Sequence, residues 1–161
     1  MNIERLKELF SYEDGKLIRK VTVNYNAKQG DVAGTVDKST GYLRLNFDGK
    51  VAHAHRLVWA LVHGAEPLGM IGHIDGDRTN NRIENLRCCD NRTNMQNLKR
   101  ARVDSATQVL GVTVCKATGK YVGRIRSPDG AYLSLGRFKN IEDAANAYLA
   151  AKRTLHAGCT I

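Results

Sequence analysis

The sequence predicts an α+β protein. A small N-terminal antiparallel sheet leads into a ββα core, and a three-stranded antiparallel sheet packed on one helix follows. Two observations carry this reading. Alternating apolar stretches, punctuated by Asp14-Gly15, Thr40-Gly41, Asp48-Gly49, Thr118-Gly119 and Asp129-Gly130, give way at intervals to helical spacing. Residues 101–108 lack any period, which places a linker between a module at 1–100 and another at 109–161.

The elements follow in order. Ile3, Leu6, Leu9 and Phe10 recur at helical spacing, so residues 2–10 are expected to form a short helix. From Tyr12 to Val51 short strands and tight turns follow, as in the alternating run 42–47. Lys16, Arg19, Lys20 and Lys28 there read first as a solvated face. Leu57, Val58, Leu61 and Val62 mark a helix over 55–63, ending near Gly64. A strand at 71–73 enters the polar loop Ile74-Asp75-Gly76-Asp77-Arg78-Thr79-Asn80-Asn81-Arg82, and Ile83 and Leu86 return to a core. A polar helix over 90–100 is expected next, with Asp90 as its N-cap. Strands at 109–114, 120–126 and 131–135 precede a helix capped by Asn140. Its apolar stripe is Ile141, Ala144, Ala145, Tyr148 and Leu155, with Lys152 and Arg153 at the negative end.

Composition narrows the function classes. The 161 residues carry 42% hydrophobic side chains and no apolar run near the ~20 needed to cross a bilayer. The alternating charged start lacks a signal-peptide core, and adjacent Cys88 and Cys89 with Cys115 and Cys159 make no disulfide framework. A reducing, cytoplasmic setting is expected. Cys88-Cys89 lack the spacing of a zinc site and are expected to be buried and inert. The formal charge of +9 is uneven, because residues 101–161 alone contribute +5. A basic C-terminal third points to a polyanion, with nucleic acid first.

The middle of the chain carries chemistry. Phosphodiester hydrolysis needs a base near neutrality, for which His is suited, and a hard cation, for which Asn and Asp oxygens are suited. His73, Asn85 and Asn94 fall at intervals of 12 and 9 residues. With His55-Arg56-Leu57-Val58-Trp59, the run Gly72 to Arg87 and Asn94-x-x-Asn97, this stretch resembles the HNH (His-Me finger, ββα-metal) endonucleases of bacteriophages and the homing endonucleases. The resemblance implies one Mg²⁺ or Mn²⁺ ion and duplex DNA as substrate. It makes His73 the general base, Asn85 the residue that tethers the loop and helps orient the histidine, and Asn94 the metal ligand. Gly72 departs from the pattern, which usually has Asp there as a second ligand. Asp75 and Asp90 are the carboxylates nearby in sequence. His53, His55 and His63 read as ordinary satisfied histidines, and Asn80 and Asn81 as hydrogen-bonding loop residues.

In the last module, Val122, Arg124 and Arg126 alternate onto one strand face, where arginines reach phosphates or guanine acceptors. Gly119 to Arg126, Leu133 to Phe138 and Glu142 to Tyr148 resemble the plant ethylene-response-factor (APETALA-type) DNA-binding domain. That resemblance implies DNA contact by Arg124 and Arg126, with Lys116, Lys120 and Arg137 beside them. Tyr121 stands where that family often has Trp.

The sequence therefore leads to a metal-dependent DNA endonuclease of the homing type with a DNA-reading module. Its rival is a sequence-specific DNA-binding protein whose nuclease site is inactive because of Gly72.

Overall fold

The computed structural model describes residues 1–160. Contacts divide the chain into two compact units, Met1–Asn91 and Arg92–Ile161.

The first unit begins with α1 (Ile3–Leu9), started by Asn2, whose Oδ1 accepts from Arg5 N at 3.0 Å. This satisfies one of the donors that every helix start leaves open. β1 (Phe10–Glu13) and β2 (Lys16–Arg19) form a hairpin across the Asp14-Gly15 turn. A second sheet has the order β3 (Thr35–Val36), β4 (Leu43–Phe47), β5 (Lys50–His53). α2 (Ala54–His63) starts directly from β5 and ends at Gly64, which is left-handed at φ 67°. β6 (Met70–His73) pairs antiparallel with β7 (Leu86–Cys89), with His73 opposite Leu86 and Gly72 opposite Arg87.

One core unites these pieces. Leu6, Phe10, Leu17, Leu45, Phe47, Leu57, Val58, Ile71 and Leu86 are buried together. α2 supplies Leu57 and Val58 at 0% exposure, which is the apolar face that its spacing foretells. Ile71 and Leu86 bring the β6–β7 hairpin onto the same core, and this fixes where His73, at the end of β6, must sit.

The second unit contains α3 (Asn91–Gln96) apart from its first residue, then β8 (Val112–Val114), β9 (Tyr121–Arg126), β10 (Tyr132–Phe138) and α4 (Ile141–Leu155). The sheet order is β10-β9-β8, all antiparallel, with α4 packed against it. Residues 101–108 contain no helix or strand and are held by turns, with Ser105 N donating to Arg102 O and Gln108 N to Ser105 O.

Two residues are more deeply buried than their places in the sequence suggest, and two expectations, at Asn140 and Cys88, need correction. Lys152 does not project into solvent at the helix end. It is 1% exposed, continues the buried line Ala144–Tyr148, and its Nζ donates to Leu98 O. Its long stem packs as an apolar side chain while the amine finds a carbonyl. Val122, on the face of Arg124, is 5% exposed and is flanked in the ladder by Thr113 and Arg137. Asn140 stands at the N-cap of α4 without capping a backbone N–H; its Nδ2 contacts Asp143 Oδ2 at 3.4 Å. Cys88 is exposed, although the alternation along β7 puts it on the same face as the buried Leu86. Burial pushes the Cys89 thiol up.

Candidate active site

His73 is the last residue of β6 and is 6% exposed. Its Nε2 lies 2.9 Å from Oδ1 of Asn81, itself 2% exposed, in the loop that β6 enters. A carbonyl oxygen only accepts, so this contact places the ring proton of neutral His73 on Nε2. Burial holds the imidazole's affinity for protons below the ordinary histidine value, and the Asn81 hydrogen bond opposes part of that fall.

The loop that presents Asn81 is built by Asn85. Asn85 Oδ1 accepts from Asp75 N at 3.0 Å, and its Nδ2 donates to Asp75 Oδ1 at 3.0 Å and to Asn80 O at 2.7 Å. Its backbone carbonyl accepts from Ile74 N at 2.8 Å. Asn80 Nδ2 closes on Asp75 Oδ2 at 2.7 Å, while Asp77 Oδ1 receives Thr79 N and Thr79 Oγ1. The short polar side chains thus replace a ladder that an irregular loop cannot make. Two longer ties moor the loop: Ile83 N donates to the Tyr12 hydroxyl at 3.0 Å, and Arg82 pairs with Asp14 at 2.8 Å.

Around His73 the structure gathers three rings from other elements. His55, near the start of α2, meets His73 edge to face with ring centroids 5.2 Å apart. His53 stacks on His55 at 5.3 Å, and Tyr42 faces His53, His55 and His73 at 5.4, 5.2 and 5.9 Å. Arg78 lies over the Tyr42 ring at 4.9 Å. Neither the Nδ1 of His53 nor that of His55, which is 7% exposed, has a hydrogen-bond partner among the described residues, so the reading of both as satisfied histidines is corrected. Burial, then the neighbouring His73 and His53, pushes the pKa of His55 down to about 3, which keeps that ring neutral at any ordinary pH. His63 is satisfied, with Nδ1 3.1 Å from Trp59 O. Arg56 holds the chain after α2, donating to Gly69 O at 3.2 Å.

The sequence-derived residues fall as follows. Asn85 touches Asp75 and Asn80, whereas the direct bond to His73 comes from Asn81. Only its place in the loop pointed to Asn81, since a run of Asn gives no period to say which one turns inward. Asn94 lies on α3 in the second unit, half-buried, its carbonyl accepting from Asn97 N at 3.1 Å.

The cation implied for such a site can be tested against these donors. Gly72 offers no side chain. Asp75 is already engaged on both oxygens, with Oδ1 receiving Asp77 N and Asn85 Nδ2 and Oδ2 receiving Asn80 Nδ2. These hydrogen bonds overcome burial and hold its carboxyl below the usual range. Among the described residues no group of three His, Cys, Asp or Glu could hold a metal ion. The residues around His73 do not form a cation cage by themselves.

In the second unit Arg124 and Arg126 of β9 are exposed on one sheet face. A bulge between Ser134 and Gly136 on β10 inserts Leu135, so Arg137 pairs with Val122 and joins that face. Without the bulge the odd spacing from Ser134 to Arg137 would put them on opposite faces. Arg126 Nε donates to Gly130 O at 2.9 Å, and its guanidinium lies over Tyr132 at 5.7 Å. Lys116 and Lys120 stand exposed in the β8–β9 turn.

Compared with known proteins, residues 52–96 match the family model described as HNH endonuclease. The match runs from the end of β5 through α2, the His73 loop and β7 to the end of α3. It makes this segment similar to nucleases that act on DNA and generally use a divalent metal. No curated protein and no solved structure gives a match. No helix among the described residues is long and apolar enough to cross a membrane.

Proposed function

We propose that this chain is an HNH-type DNA endonuclease that nicks or cleaves duplex DNA with a divalent metal, and that its second unit is a DNA-binding module. One observation carries the reading: a buried histidine at the end of β6, hydrogen-bonded through Nε2 to Asn81, inside the segment that matches HNH endonucleases. A neutral imidazole held on one nitrogen by an acceptor keeps its other nitrogen basic, as deprotonation of water requires.

What the chain's own residues do can be stated without an ion. His73 takes the proton of a water molecule, whose oxygen bonds to phosphorus as the bond to the leaving sugar oxygen breaks. Solvent returns a proton to that oxygen. Asn85 holds the loop, and His55 and Tyr42 limit the ring's movement. A bound divalent cation would neutralise charge on the phosphate and leaving oxygen. The family resemblance gives Asn94 to that cation. Arg124, Arg126 and Arg137 offer guanidinium groups to phosphates or base edges, with Lys116 and Lys120 adding charge.

The second reading, a DNA-binding protein that does not cut, is favoured by Gly72 and by the engaged carboxylate of Asp75. Supercoiled plasmid and a duplex library, incubated with Mg²⁺ or Mn²⁺, separate the two. The nuclease reading expects cleavage that His73→Ala and EDTA abolish. Tight duplex binding without His73-dependent cleavage selects the second.

A further inference from the structure

Asn81 carries more than its place in a polar loop explains. It is 2% exposed, and its side-chain oxygen is spent on one atom, Nε2 of His73 at 2.9 Å. Loop construction falls to other residues: Asn85, Asn80 and Asp75 hydrogen-bond one another, and Asp77 and Thr79 close the turn beside them. A buried acceptor aimed at a single ring nitrogen selects a tautomer.

We propose that Asn81 is a positioning residue that fixes the proton of His73 on Nε2, so that Nδ1 is the atom that receives the proton from water. This deepens the nuclease reading and rests on it. The same oxygen suits both states of the reaction. Before transfer Nε2–H donates to Asn81, and after transfer the imidazolium still donates there while Nδ1 carries the new proton. An amide turned to present its NH₂ would force the opposite tautomer and would face the imidazolium with a donor. The charged and titratable groups facing His73 include His55 of α2, Tyr42 just before β4, and Asp75, Asp77 and Arg78 from the loop. None of them replaces the Asn81 contact at Nε2.

The test uses the full chain in two measurements. Long-range proton–nitrogen NMR of protein labelled at the histidine rings, with His73 assigned by its loss in His73→Gln, reads the tautomer of the neutral ring. The Nε2–H form is expected in the wild type, with a shift toward a tautomer mixture in Asn81→Leu. An Nδ1–H ring in the wild type, or an unchanged tautomer in a folded Asn81→Leu, overturns the proposal. Cleavage kinetics form the second measurement. Asn81→Leu is expected to lower kcat about 10²-fold at nearly unchanged KM. Asn81→Asp, which also accepts from Nε2–H, recovers kcat and moves the acid limb of the pH profile upward. A purely structural role would lower the active fraction of both variants and leave that limb in place, which also counts against the proposal. If the wild type shows no His73-dependent cleavage, the nuclease reading falls, whereas the tautomer measurement still decides what Asn81 does to the ring.

Discussion

His55 presents its imidazole to His73 edge to face, with an 84° angle between the rings and 5.2 Å between centroids. Two histidines this close, with His53 stacked behind, cannot share positive charge cheaply. Burial, with His73 and His53 beside it, holds His55 in the neutral form, and burial lowers the proton affinity of His73.

This has a consequence for acid stability. A histidine whose folded pKa lies below its unfolded value of about 6.5 is protonated more readily by the unfolded chain. Stability is therefore full above pH 6.5 and falls as pH drops from 6.5 toward the folded pKa, about 3 for His55. The loss at the acid end is on the order of a few kcal/mol. Thermal unfolding followed by circular dichroism should show the melting temperature falling steadily between pH 6.5 and 4. His55→Phe keeps a ring, removes an unpartnered buried nitrogen and should flatten that fall while raising stability near pH 7. An equally steep acid decline in His55→Phe would contradict this assignment.

Asn85 should prove structural before it proves chemical. Its side chain makes three hydrogen bonds, two to Asp75 and one to Asn80 O, and none to His73 is among them. Asn85→Ala leaves Asp75 N and Oδ1 short of partners, at a cost of about 2–4 kcal/mol. Urea unfolding should show a lower midpoint at unchanged slope. An effect on cleavage with no change in that midpoint would assign Asn85 to the chemistry instead.

The contrast between Asn85 and Asn81 shows what was legible in the sequence. Helices and strands announced themselves because burial imposes a period, as Leu57 and Val58 do on α2. His73 was legible because a motif surrounds it. Asn81 was not, since irregular loops have no period and Asn80 and Asn81 differ only in which way the backbone turns. The ring cluster was hidden for another reason: Tyr42 and His73 are far apart in sequence, and only folding brings the residue before β4 against His55 of α2 and His73 of β6. Lys152 stands in the last helical turn as its sequence position indicates, but its burial was not legible, because the carbonyl of Leu98 that draws it inward lies far away in sequence.

Gly111 should be among the least replaceable residues of the second unit. Its φ is +73°, and a β-carbon there would sit 2.0 Å from the Tyr148 ring, which is buried against β8 and β9 by α4. Gly119 is its control, with φ +66° and nothing within 4 Å of an added β-carbon. Gly119→Ala bears only the left-handed backbone, about 1 kcal/mol, whereas Gly111→Ala adds displacement of a core aromatic and should exceed about 3 kcal/mol. Melting curves of the two variants give the comparison, and equal losses would mean that Tyr148 moves aside freely.

The arginine face of β9 and β10 makes a prediction that separates reading from attraction. Lys116 and Lys120 sit exposed in a turn, and a lysine that neutralises one phosphate contributes about one unit to the salt dependence of binding. Lys116→Ala and Lys120→Ala should each lower that slope and weaken binding equally on all duplexes. Arg124 stands mid-strand beside Ser134, where a guanidinium can address two acceptors of one base. Arg124→Ala should cost about 1–3 kcal/mol on the preferred duplex and much less on random sequence. Fluorescence anisotropy against both duplexes across a salt series measures the two quantities at once. If Arg124→Ala weakens both duplexes alike, the face attracts DNA without reading it, and sequence preference must arise elsewhere in the chain.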